Sequence, residues 1–216
     1  MARKTKADAL KTRQALIEAA IQQFAERGVA STTLTDIADA AGVTRGAIYW
    51  HFTSKTELFN EMWEQQIPLR DIIKHQLTHI ENNDPLQSLR ERLITSLRYV
   101  AETPKQQALM QILYHKCEFY PGMIAESEIR KKICFSREEF RATLQECIHR
   151  GILSPDINID IVLVIFQGFF SGIIKNWLMD PEQINLYQQA PLLVDNIMAT
   201  LNVQPLNVAG HPRIAC

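Results

Sequence analysis

Two short helical segments joined by a glycine turn constrain the fold of this chain more than any other feature. Thr33 and Asp36 stand three residues apart, the spacing at which a hydroxyl and a carboxylate cap the start of a helix. Gly42 follows, and glycine can adopt the positive φ angle that ends a helix in a tight turn. Thr44 then caps a second segment that reaches the aromatic residues 49–52. Residues 37–52 therefore have the spacing of a helix-turn-helix.

Helical patterns also flank this pair. Residues 7–27 carry apolar side chains at intervals of one, three and four, which predicts a first helix that ends at Gly28. Ser54 and Glu57 repeat the capping-box spacing and predict a long fourth helix, which Pro68 is expected to bend or interrupt.

The rest of the chain is also predicted to be helical. Turn-forming residues divide it into pieces of helical length, with breaks at 82–85, 103–104, 120–122, 151–156 and 180–181. Residues 157–166 are rich in β-branched side chains, but the apolar run continues to 174 without a turn, which favours a buried helix over a strand. The sequence thus indicates an all-α fold with a frayed tail from about residue 205.

Charge is distributed unevenly along the chain. The whole chain has a net charge of −1, yet residues 1–60 hold eight Lys or Arg against six acids, and the excess is concentrated in residues 3–13. This predicts a flexible basic arm, although a short charged terminus is also common.

The N-terminus lacks the apolar segment of a signal peptide, and no run of 18 apolar residues is present, so a cytoplasmic protein without membrane spans is expected.

Neither a metal site nor a disulfide is predicted. Cys117, Cys134, Cys147 and Cys216 are widely spaced without a C-x-x-C pair, which indicates free thiols in a reducing compartment. His115 and Cys117 are two residues apart and would diverge on a helix, so the pair is a poor start for a metal site.

The two helices of the pair are expected to have an inner face that packs them together, and the second helix also has an outer face. Small or apolar residues at Ile37, Ala38, Val43 and Ile48 are expected to pack the two helices together. The outer residues begin with Arg45 and continue with small side chains, a pattern that suits entry into the major groove of DNA. An ordinary helical hairpin with a polar face would share the spacing; the basic arm, the aromatic cluster 49–52 and the following lysine favour DNA.

The segment GVASTTLTDIADAAGVTRGAIYWHFTSKTELFNEMW resembles the DNA-binding head of the TetR family of bacterial repressors. The segments MARKTK, VTRGAIYWHF, ILYHKCEF and NWLM extend the likeness to family members that repress multidrug efflux operons. The resemblance implies a homodimer of about nine helices, with a three-helix head in residues 1–60 (motif about 33–52), a ligand-binding and dimerisation body in 61–204 and a tail in 205–216. It implies no cofactor.

The candidate DNA contacts combine this motif with the basic arm and the helix starts. They are Lys4, Lys6, Thr33, Thr44, Arg45, Gly46, Tyr49, His51 and Lys55. Arg45 is the leading candidate for a base contact, whereas Thr33 and Lys55 stand near helix N-termini that favour phosphate.

The ligand pocket implied by the resemblance draws on the aromatic and apolar residues of the body. The candidates are Trp63, Gln66, Ile67, Met110, Gln111, Tyr114, Glu118, Phe119, Phe166 and Phe170, of which Gln66, Gln111 and Glu118 would be polar anchors. Aromatic residues at helical spacing are equally expected in a plain core. The expected inducer is a small hydrophobic or cationic drug-like molecule.

Gly168 and Gly172 lie on one face of an apolar helix, where missing side chains let a second helix approach closely. They are candidates for a dimer interface together with Trp177, although close packing inside one subunit would use the same spacing. Asp160 and Lys175 bracket the apolar run and argue against a membrane span.

The function expected from these features is a ligand-responsive repressor that binds a palindromic operator as a dimer. Three alternatives remain: a helical enzyme using the cluster His115, Cys117 and Glu118, a non-specific architectural DNA binder, and a protein-interaction module. The enzyme is disfavoured because no nucleophile elbow, metal motif or phosphate loop accompanies the cluster.

Overall fold

The computed structural model describes residues 6–77, 83–133 and 136–202, and within these ranges the regular structure is entirely helical. A π-helical turn at Ile112–Lys116 and a 3₁₀ turn at Thr200–Asn202 accompany the α-helices. The helices are α1 Lys6–Arg27, α2 Leu34–Ala40, α3 Arg45–His51, α4 Lys55–Glu64, α5 Leu69–Gln76, α6 Pro85–Glu102, α7 Pro104–Gln111, α8 Glu126–Ile133, α9 Arg137–His149, α10 Ile159–Met179 and α11 Leu186–Ala199.

The all-α prediction is confirmed, and the described part of the chain has eleven α-helices rather than about nine. Prolines account for part of the difference. Pro68 separates α4 from α5, as expected of a residue that cannot donate a backbone hydrogen bond, and Pro104 separates α7 from α6. The predicted breaks at 120–122, 151–156 and 180–181 also lie between helices.

The helix-turn-helix has the predicted capping chemistry. The Thr33 hydroxyl accepts a hydrogen bond from the amide of Asp36, whose carboxylate in turn accepts one from the amide of Thr33. Gly42 has a φ of +67°, which places it in the left-handed region that the turn requires. The Thr44 hydroxyl accepts from the amide of Ala47 and starts α3. Local chemistry therefore sets both ends of the turn.

The fourth helix begins differently from the prediction. Ser54 caps it by accepting from the amide of Glu57, as expected, with an N–O distance of 3.1 Å. The Glu57 carboxylate, however, accepts from the backbone and hydroxyl of Thr53, so the reciprocal half of the predicted capping box involves the preceding residue. The two threonine bonds hold the pKa of Glu57 below its ordinary value.

The helices of the head share one core with the start of the body. Phe24 of α1, Ile37 of α2, Ile48 of α3 and Phe59 of α4 are fully buried, and the Phe24 and Phe59 rings lie 6.1 Å apart. The head is therefore held by packing between the long α1 and three helices of seven to ten residues, which are too short to be stable alone.

Helix α10 is long and apolar enough to cross a membrane by length and composition alone, a test that a buried core helix also meets. Its side chains divide into two sets. Leu163, Phe166 and Phe170 are buried in the body, whereas Ile161 and Val164 are more than half exposed. One face of this helix thus belongs to the core, and a second apolar face is open in the single chain.

Candidate DNA-binding interface and ligand cavity

Helix α3 presents a polar and aromatic outer surface over a single buried residue. Ile48 is fully buried, whereas Arg45, Gly46 and Tyr49 are exposed. The Arg45 guanidinium lies 5.8 Å from the centre of the Tyr49 ring, so a cation–π contact orients it along the helix. A Cβ at Gly46 would meet no atom within 4 Å, so this position leaves room for another molecule to approach the backbone.

Trp50 is an exposed aromatic residue that the sequence reasoning did not select as a contact. Its side chain is 73% exposed, and its ring packs edge-on against His51 at 4.6 Å. The cluster 49–52 signalled aromatic character, but only the helix geometry separates this residue from Phe52, which is fully buried. Exposed aromatic surface of this size beside Tyr49 makes Trp50 a further candidate contact.

Lys55 is held by the head itself. Its Nζ donates to the carbonyl oxygens of Val29 at 2.6 Å, Ala30 at 3.2 Å and Thr32 at 2.9 Å. An ammonium group has three N–H donors, so these three contacts use all of them. This geometry favours a role in fixing the loop between α1 and α2 over the expected contact with phosphate.

The expected flexible basic arm is wrong for its second half, because Lys6, Lys11 and Arg13 lie within α1. Arg13 is also engaged inside the head: it forms a bidentate ion pair with Glu61 and donates to the backbone carbonyl of His51. Arg13 therefore joins α1 to the end of α3 and to α4. Lys6 stands exposed at the first position of α1, and Lys4 lies outside the described residues.

Thr33 is exposed, but its donors serve the cap. Its amide and hydroxyl both donate to the Asp36 carboxylate, at 2.8 and 2.6 Å. These bonds, chiefly that from the hydroxyl, hold the pKa of Asp36 below its ordinary value, and Arg27 at 3.3 Å acts in the same direction. A phosphate contact by the Thr33 side chain would compete with this carboxylate.

A cavity of about 200 Å³ lies between α5, α6 and α9. Its wall combines apolar side chains with a few charged and hydroxyl groups. The residues are Leu69, Arg70, Ile73, Lys74, Leu89, Arg92, Leu93, Ser96, Ser136, Glu139 and Phe140. A wall of this composition suits a small, largely apolar ligand with a polar end.

Two further spaces adjoin this cavity. A void of about 20 Å³ shares Leu69 and Ser96 with it, and a groove of about 870 Å³ shares Arg70, Ser136 and Phe140. Of the predicted pocket residues, Met110, Tyr114 and Phe170 line the void and Phe166 lines the groove.

The other pocket candidates lie elsewhere. Ile67 is 65% exposed in the connection after α4 and Glu118 is exposed, so the structure does not support a place for either in an internal wall. Trp63 and Gln66 are buried at the end of α4, and Phe119 packs 6.3 Å from Phe59. These side chains belong to the core that joins head and body.

Buried polar atoms without a protein partner occur in this core. Trp63 Nε1 and Gln111 Oε1 lack a hydrogen-bond partner among the described residues. The Gln66 amide differs, because it donates to the carbonyl of Met62 in the last turn of α4.

The sequence reasoning missed the main wall of the cavity, which α5, α6 and α9 supply. Ser96 offered a signal: it is a buried polar residue in the apolar stripe of α6, close to Leu93 and Leu97. Leu69, Ile73 and Phe140 had none, because an apolar residue facing a cavity has the same spacing as one facing a neighbouring helix.

The two glycines of α10 face away from their own subunit. A Cβ at Gly168 or Gly172 would meet no described atom within 4 Å, which is contrary to the alternative of close packing inside one subunit. Trp177 is only 8% exposed and packs in the body of its own chain, so it is not available to the predicted interface.

The surroundings of His115 and Cys117 favour a structural role for both side chains. Cys117 and Cys147 are free, and burial, with Glu126 and Glu118 nearby, raises the pKa of the Cys117 thiol to about 11. A thiol with a raised pKa is a poor nucleophile and metal ligand. His115 Nε2 lies 2.9 Å from the backbone carbonyl of Lys175. Cys134 and Cys216 lie outside the described residues, and those that are described hold no cluster of metal-ligating side chains.

Comparison with curated proteins finds relatives along most of the chain. It is 57% identical over 198 residues to the probable acrEF/envCD operon repressor of Escherichia coli K12, covering 92% of this chain and 90% of that protein. It is 39% identical over 191 residues to the HTH-type transcriptional regulator AcrR of Shigella flexneri, covering 88% and 89%. These relatives are transcriptional regulators, which agrees with the prediction of a regulator and not an enzyme.

Solved structures and family models agree with this. The crystal structure of NalD, the secondary repressor of the MexAB-OprM multidrug efflux pump in Pseudomonas aeruginosa, matches with a TM-score of 0.68 at 30% identity, covering 90% of this chain and 98% of that one. Residues 16–62 match the model of bacterial regulatory proteins of the tetR family, and residues 84–203 match the C-terminal region of MAATS-type transcriptional repressors. Repressors of this family bind operator DNA and small-molecule ligands. The chain therefore belongs to the TetR family of bacterial regulatory proteins.

Proposed function

We propose that this chain is a ligand-responsive transcriptional repressor of a multidrug efflux operon and that it acts in the cytoplasm. The main observation that supports DNA binding is the outer surface of α3, where Arg45 and Tyr49 are exposed beside the open backbone of Gly46. An arginine at the start of a helix can donate two hydrogen bonds to guanine in the major groove. Phosphate contacts by Lys4 and Lys6 would add sequence-independent affinity.

The regulated operon is inferred from the relatives. The Escherichia coli protein is named as the probable repressor of the acrEF/envCD operon, and NalD is a repressor of a multidrug efflux pump. Both likenesses extend over nine tenths of this chain, so they include the body as well as the head.

Two copies of the chain would form the DNA-binding unit through the open face of α10 and the adjoining α11. Ile161, Val164 and Ile165 of α10 and Leu192 of α11 are between 46% and 60% exposed. Gly168 continues this face and would let the backbone of a second copy approach. A closed twofold dimer would present two copies of α3 one DNA turn apart to a palindromic operator.

The body and the head are joined closely enough to transmit a ligand signal. The Asn60 side chain of α4 accepts from the amide of Ile124 at 2.7 Å and donates to the carbonyl of Gly122 at 3.0 Å. Lys132 of α8 donates to the carbonyl oxygen of Glu64 at the end of α4 at 2.7 Å. A small, largely apolar ligand in the cavity that displaced α8 or α5 would therefore change the position of α4, and with it the distance between the two heads.

Binding to DNA from upstream of the gene itself and of a neighbouring efflux operon tests the proposal. We expect an affinity at least about a thousandfold higher than for a scrambled duplex at the same salt concentration. Equal affinity for scrambled DNA would indicate an architectural protein, and no binding to either would indicate a protein-interaction module. The measurement should be repeated at several salt concentrations, because phosphate contacts dominate non-specific binding.

A further inference from the structure

The charged groups around the cavity between α5, α6 and α9 are unbalanced. Three cations, Arg70, Lys74 and Arg92, line it against a single carboxylate, Glu139. The remaining wall is formed by apolar side chains with Ser96 and Ser136. A ligand in this cavity would therefore meet an apolar surface and an excess of positive charge.

Arg92 is the most buried of the three cations, and it lies between the cavity and a groove that Ser88 and Thr143 also line. It is half-buried on α6, whereas Lys74 and Glu139 are exposed, and Arg70 is exposed and paired with Asp71 at 3.4 Å. The Arg92 guanidinium donates to the carbonyl of Ser88 at 3.3 Å and to the hydroxyl of Thr143 at 3.0 Å. It forms no ion pair with any carboxylate that the structure describes. A half-buried guanidinium with spare N–H donors gains most from an anionic partner.

The adjoining groove is also lined by charged residues, but these are more nearly balanced. Five cations line it against three carboxylates: Arg70, Arg130, Lys131, Lys132 and Arg137 against Glu64, Glu128 and Glu138. Some of these are paired, as Lys131 is with Glu128 at 2.7 Å and Arg137 with Asp160 at 3.6 Å. Arg70 and Arg130 are likewise paired with Asp71 and Glu126 just outside the lining, so the groove carries no clear positive excess, and the preference for an anionic ligand depends on the cavity.

We propose that the cavity binds a compact anionic amphiphile, with an apolar body against Leu93 and Phe140 and its anionic group on Arg92. The volume of about 200 Å³ suits a body of one or two rings. A cationic drug of the same shape would meet Arg92 as a like charge and would bind poorly. The role of this ligand as an inducer rests on the proposed function, whereas its binding does not.

Three naphthalene derivatives of matched shape test the ligand class: 1-naphthoate, 1-naphthalenemethanol and 1-naphthylmethylamine. Binding to the full chain without DNA is measured by isothermal titration calorimetry at pH 7. We expect the carboxylate to bind about tenfold or more tightly than the alcohol, because a charge-assisted contact replaces a neutral one, and the amine to bind most weakly. Equal affinities, a preference for the amine, or no measurable binding of the carboxylate would each overturn the proposal.

Two variants assign the effect to Arg92. Arg92→Gln should abolish the preference for the carboxylate over the alcohol, and Arg92→Lys should retain most of it. Arg98→Gln is the matched control, because Arg98 lies on the same helix beside Tyr187 and does not line the cavity. Equal losses in Arg92→Gln and Arg98→Gln would show that net charge and not the site sets the preference. If Arg92→Gln does not fold, the affinities of the natural chain and of Arg92→Lys for the three naphthalene derivatives test the proposal instead.

A titration of naphthoate into the protein–operator complex separates this inference from the proposed function. Release of DNA that depends on Arg92 supports both. Arg92-dependent binding that leaves the operator complex intact supports the ligand class and contradicts its role as inducer. Specific operator binding by a protein that does not bind naphthoate would support the proposed repressor function and contradict the proposed ligand class.

Discussion

Single residues on the head divide into those that can reach another molecule and those that hold the head together. Arg45 has one weak internal contact, with the Tyr49 ring, whereas Arg13 and Lys55 are fully engaged by Glu61 and by three carbonyl oxygens. All three are basic residues of a DNA-binding head. Only their surroundings show which positive charge is available to DNA.

Arg45→Ala should weaken binding to the natural operator by roughly 1–3 kcal/mol and relax the sequence preference at one base pair of each half-site. The reason is the loss of a side chain that faces outward from the start of α3. Fluorescence anisotropy with single-substitution duplexes measures both effects. Arg150→Ala, at the residue that follows α9 and remote from α3, is the control. A uniform loss over all duplexes would instead assign Arg45 to phosphate.

Lys55→Ala should lower the free energy of unfolding by about 1–3 kcal/mol, because three carbonyl oxygens lose their donor. The salt dependence of DNA binding should remain unchanged. Chemical denaturation and a salt titration of operator affinity are the two measurements. Unchanged stability, together with a salt slope smaller by about one, would restore Lys55 as a phosphate contact.

At the scale of elements, short helices of the head depend on their capping groups. Helices α2 and α3 have seven residues each, too few to be stable alone, and each begins with a threonine that accepts an amide hydrogen bond. In α2 the Asp36 carboxylate also accepts a hydrogen bond from the hydroxyl of Thr33, the cap residue. In α4 the Glu57 carboxylate accepts one from the hydroxyl of Thr53, the residue before the cap. Protonation of these carboxylates would weaken the helix starts.

The stability of the head should therefore depend on pH. The pKa of Asp36 and that of Glu57 are lowered in the folded chain, so their contribution is present above the unfolded pKa of about 4 and is lost as the pH falls through the folded value. Denaturation midpoints between pH 6 and 3 should fall less steeply in Asp36→Asn than in the natural chain. Asp39→Asn removes a carboxylate from the same helix outside the cap and is the control. Identical slopes for Asp36→Asn and the natural chain would exclude this contribution.

On the scale of the whole molecule, the outer surface of α3, which is proposed to contact DNA, and the cavity of the body are formed by separate sets of helices that α4 connects. Asn60 and the backbone at Glu64 bind this helix to the body, while Arg13 and Phe59 bind it to the head. The open apolar face of α10 is the part of the structure that a second chain would complete. Dimer formation and DNA binding should then be lost together.

Val164→Glu tests that dependence. Val164 is 57% exposed on α10, so a carboxylate there should leave the subunit folded while preventing an apolar interface. We expect a monomer by sedimentation velocity and a loss of operator affinity of about a hundredfold or more, because a single head then binds one half-site. Gln145→Glu places the same charge on an exposed position of α9 and should remain dimeric. A dimer with normal affinity in Val164→Glu would place the interface elsewhere.

Sequence alone determined the local features: the caps at Thr33 and Thr44, the turn at Gly42 and the break at Pro68. Each depends on residues within four positions of one another, so spacing is enough to predict it. The tertiary structure decided which cations are engaged, which apolar residues line a cavity and which face of α10 stays open. Lys55 and Val29 are 26 positions apart and Arg92 and Thr143 are 51 apart, and contacts over such separations depend on how helices pack. Helical spacing marks a residue as facing inward, but it does not specify whether it meets a neighbour, a ligand or a second chain.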